Sequence, residues 1–135
     1  MDEILDITWR SAVMLENIEE GNLLFSVSDE NGKLLRIKKY ATELVEFTNE
    51  MDFEAYQMNT KTNYACAFAL LQIGTLANRL QSEIQQKLGI PWRAVSTARN
   101  ASINGHTESH QRIIFSEIEK NIPALLGKLE EILAD

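Results

Sequence analysis

Apolar residues return at helical spacing along most of this chain. Ile4, Ile7, Met14 and Ile18, with Leu5, Trp9, Val13 and Leu15 beside them, predict a first helix over about residues 2–20. Gly21-Asn22 stops it. Residues 23–32 lose the period. Residues 23–27 read as a short strand or as a loop, and Asp29-Glu30-Asn31-Gly32 is turn chemistry, so a hairpin with residues 34–37 competes with a plain loop. The loop is preferred. From Leu34 the helical pattern resumes through Ile37, Ala41, Leu44, Val45 and Thr48, accompanied by Tyr40 and Phe47. Asp52 is a natural N-cap for a short turn carrying Phe53 and Tyr56.

The longest helix is expected over residues 60–88, where Cys66, Leu70, Ile73, Ala77, Leu80, Ile84 and Leu88 alternate at spacings of four and three. Its middle, residues 65–77, is apolar on nearly every side. Such a helix must be covered all round, as the core helix or also as a subunit interface. Gly74 and Ala77 would let a neighbour approach closely. Gly89-Ile90-Pro91 ends it and opens the next. Ser109 can cap a helix through Ile113, Ile114, Phe115 and Ile118, and Asn121-Ile122-Pro123 reads as the cap and first turn of a last one. The expected fold is therefore all-α, an up-and-down bundle of four to five helices (residues 33–135), preceded by an acidic extension of helix and loop (residues 1–32).

Composition narrows this further. A chain of 135 residues holds one domain with its own core and not two. Six Gly and two Pro argue against a turn-rich sandwich. No apolar run approaches the roughly 18 residues that span a bilayer, so no membrane partner is expected. The start Met1-Asp2-Glu3 is acidic where a secretory leader is basic, and the lone Cys66 cannot close an internal disulfide; both fit a cytoplasmic protein. Cys66, inside an apolar helix, reads as inert core.

The net charge of −7 sits entirely in the first segment. Asp2, Glu3, Asp6, Glu16, Glu19, Glu20, Asp29 and Glu30 face the single base Arg10, while residues 33–135 balance. Between Lys87 and Arg112 the sign reverses: Lys87, Arg93, Arg99 and Arg112 stand against Glu108 alone. Such a patch attracts phosphate weakly and in a salt-dependent way. The acidic segment is then either an added bundle helix with a solvated face or a screen over that basic region.

One stretch carries chemistry: Ile90-Pro91-Trp92-Arg93, a short helical run, Arg99-Asn100, then Asn104-Gly105-His106. It resembles the signature of the HepT-like branch of the HEPN superfamily, in which Arg-Asn is followed after three residues by His-Gly-Tyr. Phe53-Glu54-Ala55-Tyr56, Lys61-Thr62-Asn63-Tyr64-Ala65, Leu70-Leu71-Gln72-Ile73-Gly74 and Ala77-Asn78-Arg79-Leu80 resemble that family's long helix in register. Ile113-Ile114-Phe115 and the run 121–125 resemble its closing helices. The likeness covers about residues 34–135. It departs at Gly74-Thr75-Leu76, where Gly-Glu-Ala is usual, at Asn104 in the His place, and at His106 in the Tyr place.

The resemblance implies a homodimer whose two motifs meet in a cleft and cleave RNA without a metal or other cofactor, as the toxin component beside a minimal nucleotidyltransferase antitoxin. Arg99 would bind the phosphate and Asn100 would orient it or the arginine. A guanidinium can neutralise phosphorane oxygens, and an imidazole near neutral pKa can move protons. An amide at Asn104 cannot. In the ungapped register, which is preferred, hydrolysis is therefore impaired. In the longer Arg-to-His spacing that the wider superfamily allows, His106 supplies the imidazole. His106 and His110 are four apart but have no evident third ligand, so a metal site is not expected. With His in the Tyr place, adenylylation there is impossible. The competing function is a catalytically inactive module that binds RNA, a nucleotide or a nucleotidyltransferase.

Overall fold

A computed structural model describes residues 30–134, all α-helix and connecting turns. The expected helix 2–20 and the strand-or-loop segment up to residue 29 lie outside the described residues. The chain divides at Lys33 and Leu34. Of the first unit only residues 30–33 are described, the opening turn of a helix in which Lys33 Nζ lies 3.8 Å from Glu30 Oε2.

Among the described residues six helices follow one another: α1 (Glu30–Phe47), α2 (Phe53–Met58), α3 (Thr60–Ala77), α4 (Ser82–Leu88), α5 (Trp92–Asn104) and α6 (Glu108–Ala134). Helix α1 begins earlier than its hydrophobic period, so Glu30-Asn31-Gly32 form helix rather than the expected turn, and residues 34–37 cannot pair as a hairpin. It buries Leu34, Ile37, Ala41 and Leu44. Asp52 caps α2 as expected, its Oδ1 accepting from the Ala55 N–H at 2.8 Å. Asn59 then caps α3 through Thr62 N–H. The buried Asn63 side chain donates to the carbonyls of Tyr56 and Asn59 at 2.9 and 2.8 Å, locking the α2–α3 corner.

Helix α3 is the core helix. It buries Cys66, Ala67, Ala69, Leu70, Ile73, Gly74, Leu76 and Ala77. Burial pushes the Cys66 thiol up to about 12, so it stays protonated and inert at neutral pH. The expected continuation to residue 88 is corrected: the helix stops at Ala77, and residues 78–81 turn the chain into α4. The Leu80 side chain is buried in that turn, and Gln85 Nε2 donates to the Leu80 carbonyl. A break thus preserves the spacing of Ala77, Leu80, Ile84 and Leu88 while re-aiming the second piece against α6.

The last helices are corrected in the opposite sense. The two expected after residue 109 are one 27-residue helix, α6, with Pro123 inside it. Proline removes one backbone hydrogen bond, but it is exposed, and burial of Ile114, Phe115, Ile118, Ile122, Leu125 and Leu129 runs unbroken past it. Tertiary packing overrides the local breaker. The cap is Thr107 rather than Ser109: its Oγ1 accepts from the His110 N–H at 3.3 Å. Helix α5 lies between α3 and α6, with α2 bridging those two. Among the described residues no helix is long and apolar enough to cross a membrane.

Candidate functional site

The position of α5 follows from its small inner face. Ala94, Val95, Ala98 and Ala101 are buried, allowing close approach to α3. Gly74 makes the closest contact, since a Cβ there would stand 2.5 Å from Val95 Cγ1. On either side of this anchor the α3–α5 seam opens into a groove. Asn78 near the end of α3 faces the start of α5, and Tyr64 near the start of α3 faces its end, so the two helices run antiparallel.

The first groove, about 490 Å³, is lined by Asn78, Trp92, Arg93, Val95, Ser96 and Arg99. Arg93 and Arg99 are exposed, and neither makes a hydrogen bond or ion pair with any described residue. Two unneutralised guanidiniums beside a half-exposed indole suit an anion. Arg112, counted with them in the sequence, differs. Its Nε and Nη2 donate to Glu108 Oε2 at 2.9 and 2.7 Å, and it lies 4.3 Å from the centre of the Phe53 ring.

The second groove, about 370 Å³, lies between Tyr64, Phe68 and Leu71 of α3 and Ser102, Gly105 and His106 of the other wall. Gly105 (φ 100°, ψ 154°) ends α5 in a conformation that L side chains avoid. The turn returns His106 to the seam, where its ring packs on Tyr64 with centroids 5.0 Å apart. His106 makes no hydrogen bond with any described residue, and its Nδ1 is buried without a partner. Burial first, and the charge of His110 second, hold its pKa below the usual 6.5, so the imidazole is neutral at pH 7. His110 Nδ1 lies 2.9 Å from the Gly105 carbonyl and 3.1 Å from Thr107 Oγ1, which fixes the turn.

Arg99 and His106 thus line successive grooves of one seam, on the edge that also carries Val95 and Ser102. They are seven positions apart in sequence, Arg99 on α5 and His106 in the turn that follows its end at Asn104. Asn100 and Asn104 are exposed and line neither groove. At 100° per residue, Asn104 is turned about 140° from Arg99 around α5. Trp92 and Arg93 were expected as part of the motif, and Arg93 in the basic patch, but without a role at the site; Asn78 and Ser96 were not expected. Their signal was available: Trp92, Ser96 and Arg99 recur at i, i+4 and i+7, the exposed counterpart of the alanine face. Among the described residues, no three His, Cys, Asp or Glu come together as a metal site would require.

Comparisons with known proteins agree on one family. The family model described as Ribonuclease HepT-like matches residues 37–132. A Thermococcus cleftensis protein named "Probable ribonuclease HepT" is 31% identical over 94 residues, covering 68% of this chain and 86% of that protein. A Methanocaldococcus jannaschii protein named "Putative RNase MJ0127" is 26% identical over 94 residues, covering 69% and 78%. No solved structure matches the chain.

Proposed function

Because this chain belongs to the HepT-like ribonuclease family, we propose that it cleaves RNA without a metal, as the toxin component of a pair, in a cleft shared by two copies. Arg99 holds the scissile phosphate. His106, not Asn104, moves the proton. The observation that carries this assignment is that Arg99 and His106 line one seam with both side chains unpartnered, while Asn104 lines neither groove.

The step balances with groups this chain has. The neutral His106 imidazole accepts the proton of a ribose 2′-hydroxyl. The 2′-oxygen bonds to phosphorus, the bond from phosphorus to the 5′-oxygen breaks, and a 2′,3′-cyclic phosphate forms. The His106 imidazolium formed in that transfer gives its proton to the departing 5′-oxygen, which restores the neutral imidazole. Arg99 stabilises the charge that grows on the phosphorane oxygens. A lowered pKa keeps His106 in the accepting form at pH 7.

Dimerisation is supported by the outer face of α5, where Ile103 is 74% and Trp92 40% exposed on either side of Arg99. Burying that face against its copy would bring each Arg99 towards the other copy's turn, so that an Arg99 and a His106 meet across the interface. The nucleotidyltransferase antitoxin and a cytoplasmic location are part of the same proposal. Cutting a 5′-labelled RNA in excess EDTA tests it, with the expected product ending in a 2′,3′-cyclic phosphate. An intact RNA that is still bound would favour the second reading, an inactive RNA-binding module, to which Asn104 in the family's His place points.

A further inference from the structure

Resting on the ribonuclease reading, we propose that the groove beside His106 is a seat for one unpaired nucleobase, so that the substrate is single-stranded RNA next to the bond that is cut. The two ends of the α3–α5 seam differ in kind. The Arg99 end presents two free guanidiniums. The His106 end has no Asp, Glu, Lys or Arg in its lining. A nucleic-acid strand alternates in the same way, with charged phosphates and flat, neutral bases.

The aromatic surface is built and left open. Tyr64 and Phe68 are four residues apart on one face of α3, and they are 60% and 54% exposed. Tyr40 meets the Phe68 ring edge-on, with centroids 6.3 Å apart and planes at 76°, which holds that ring while leaving it exposed. On the other side the His106 ring packs against Tyr64. Ser102 Oγ donates to the Ala98 carbonyl at 2.9 Å, so its oxygen is left as an acceptor. The unpartnered imidazole adds a second polar contact. At about 370 Å³ the groove is near the small end of the range for ligand sites. Aromatic side chains stack well on any base, but only where the base is not already stacked in a duplex. The seat therefore selects strand state rather than sequence.

A second copy of the chain is the other occupant that such a surface could take, and the test separates the two. A short 2′-O-methyl RNA, which lacks the attacking hydroxyl and cannot be cut, carries 2-aminopurine at successive positions. Its emission is followed on binding to the intact protein, and sedimentation reads the mass of the same samples. Position-specific quenching is expected with the wild type and with Phe68→Trp. In Tyr64→Leu and Phe68→Leu, which keep the apolar cover and lose the flat ring, quenching should vanish and affinity fall about tenfold per ring. Wild-type affinity and quenching in both leucine variants would overturn the base seat alone, as would a fall in their mass, which would make the ledge a contact between copies. Failure of the wild type to bind the oligonucleotide at low salt would overturn the ribonuclease reading as well.

Discussion

The two flanks of α5 carry similar residues in opposite states. Towards α6, Arg112 is held by Glu108 and stacked on Phe53, and His110 is tied to the Gly105 and Thr107 turn. Towards α3, Arg93, Arg99 and His106 have no hydrogen-bonding partner among the described residues. The sequence presents all of them as one basic, histidine-bearing stretch. Geometry sorts them. On one flank charge and imidazole are used to hold the turn and the start of α6, and on the other they are left free beside open grooves, where an external phosphate can engage them.

The largest test of that contrast is the pair Arg99→Ala and Arg112→Ala. Removing a free guanidinium that stabilises developing phosphorane charge should lower the RNA cleavage rate by about 100-fold or more. Removing the engaged one should change it less than about threefold. Equal losses would erase the distinction between the flanks. Next is the seam's anchor. Gly74→Ala forces a methyl against Val95 Cγ1 and should cost about 1–2 kcal/mol in urea unfolding, after the better helix propensity of alanine is allowed for. Adding Val95→Ala should recover part of that loss. A plain sum of the two single effects would mean that the seam adjusts freely.

Smaller effects separate the flanks electrostatically. Arg112→Ala should lower stability by no more than about 1 kcal/mol, because the pair with Glu108 is exposed. His110→Gln removes the neighbouring charge, so the His106 titration midpoint, read by NMR, should rise towards 6.5; an unmoved midpoint would leave burial as its only cause. The sign for stability follows from the same shift. Below about pH 6.5 the unfolded chain binds a proton that folded His106 resists, so stability is full above that pH and declines as pH falls towards the lowered folded value. The thermal midpoint should therefore drop on acidification more steeply in the wild type than in His106→Gln.

Much of this was legible in the residues. The spacing through Ile37, Ala41 and Leu44 gave α1, the apolar run 65–77 gave the core helix, and Asp52 marked the cap of α2 because a carboxylate before a helix has one favoured role. Gly74 announced close packing, which its contact with Val95 bears out. Local signals failed where burial outweighed them. Pro123 reads as a helix start but sits on the exposed face of a helix whose inner face never lapses. The spacing from Ala77 to Leu88 fits one helix as well as two, and only the need to cover α6 distinguishes them. At the site, Arg99 and His106 were visible as types; Glu108, four residues before Arg112, hinted which arginine is engaged, but its seat on Phe53 crosses the fold and has no local signal. Glycine at 105 was the clue to the turn that carries His106 to the seam.

The most direct measurement compares RNA cleavage in EDTA by wild type, His106→Ala and Asn104→Ala. If His106 is the proton-transfer group, the histidine variant loses cleavage by about 100-fold or more, and the asparagine variant stays within a few-fold of wild type. Activity that survives in His106→Ala would contradict the assignment and return the chemistry to another residue of the seam.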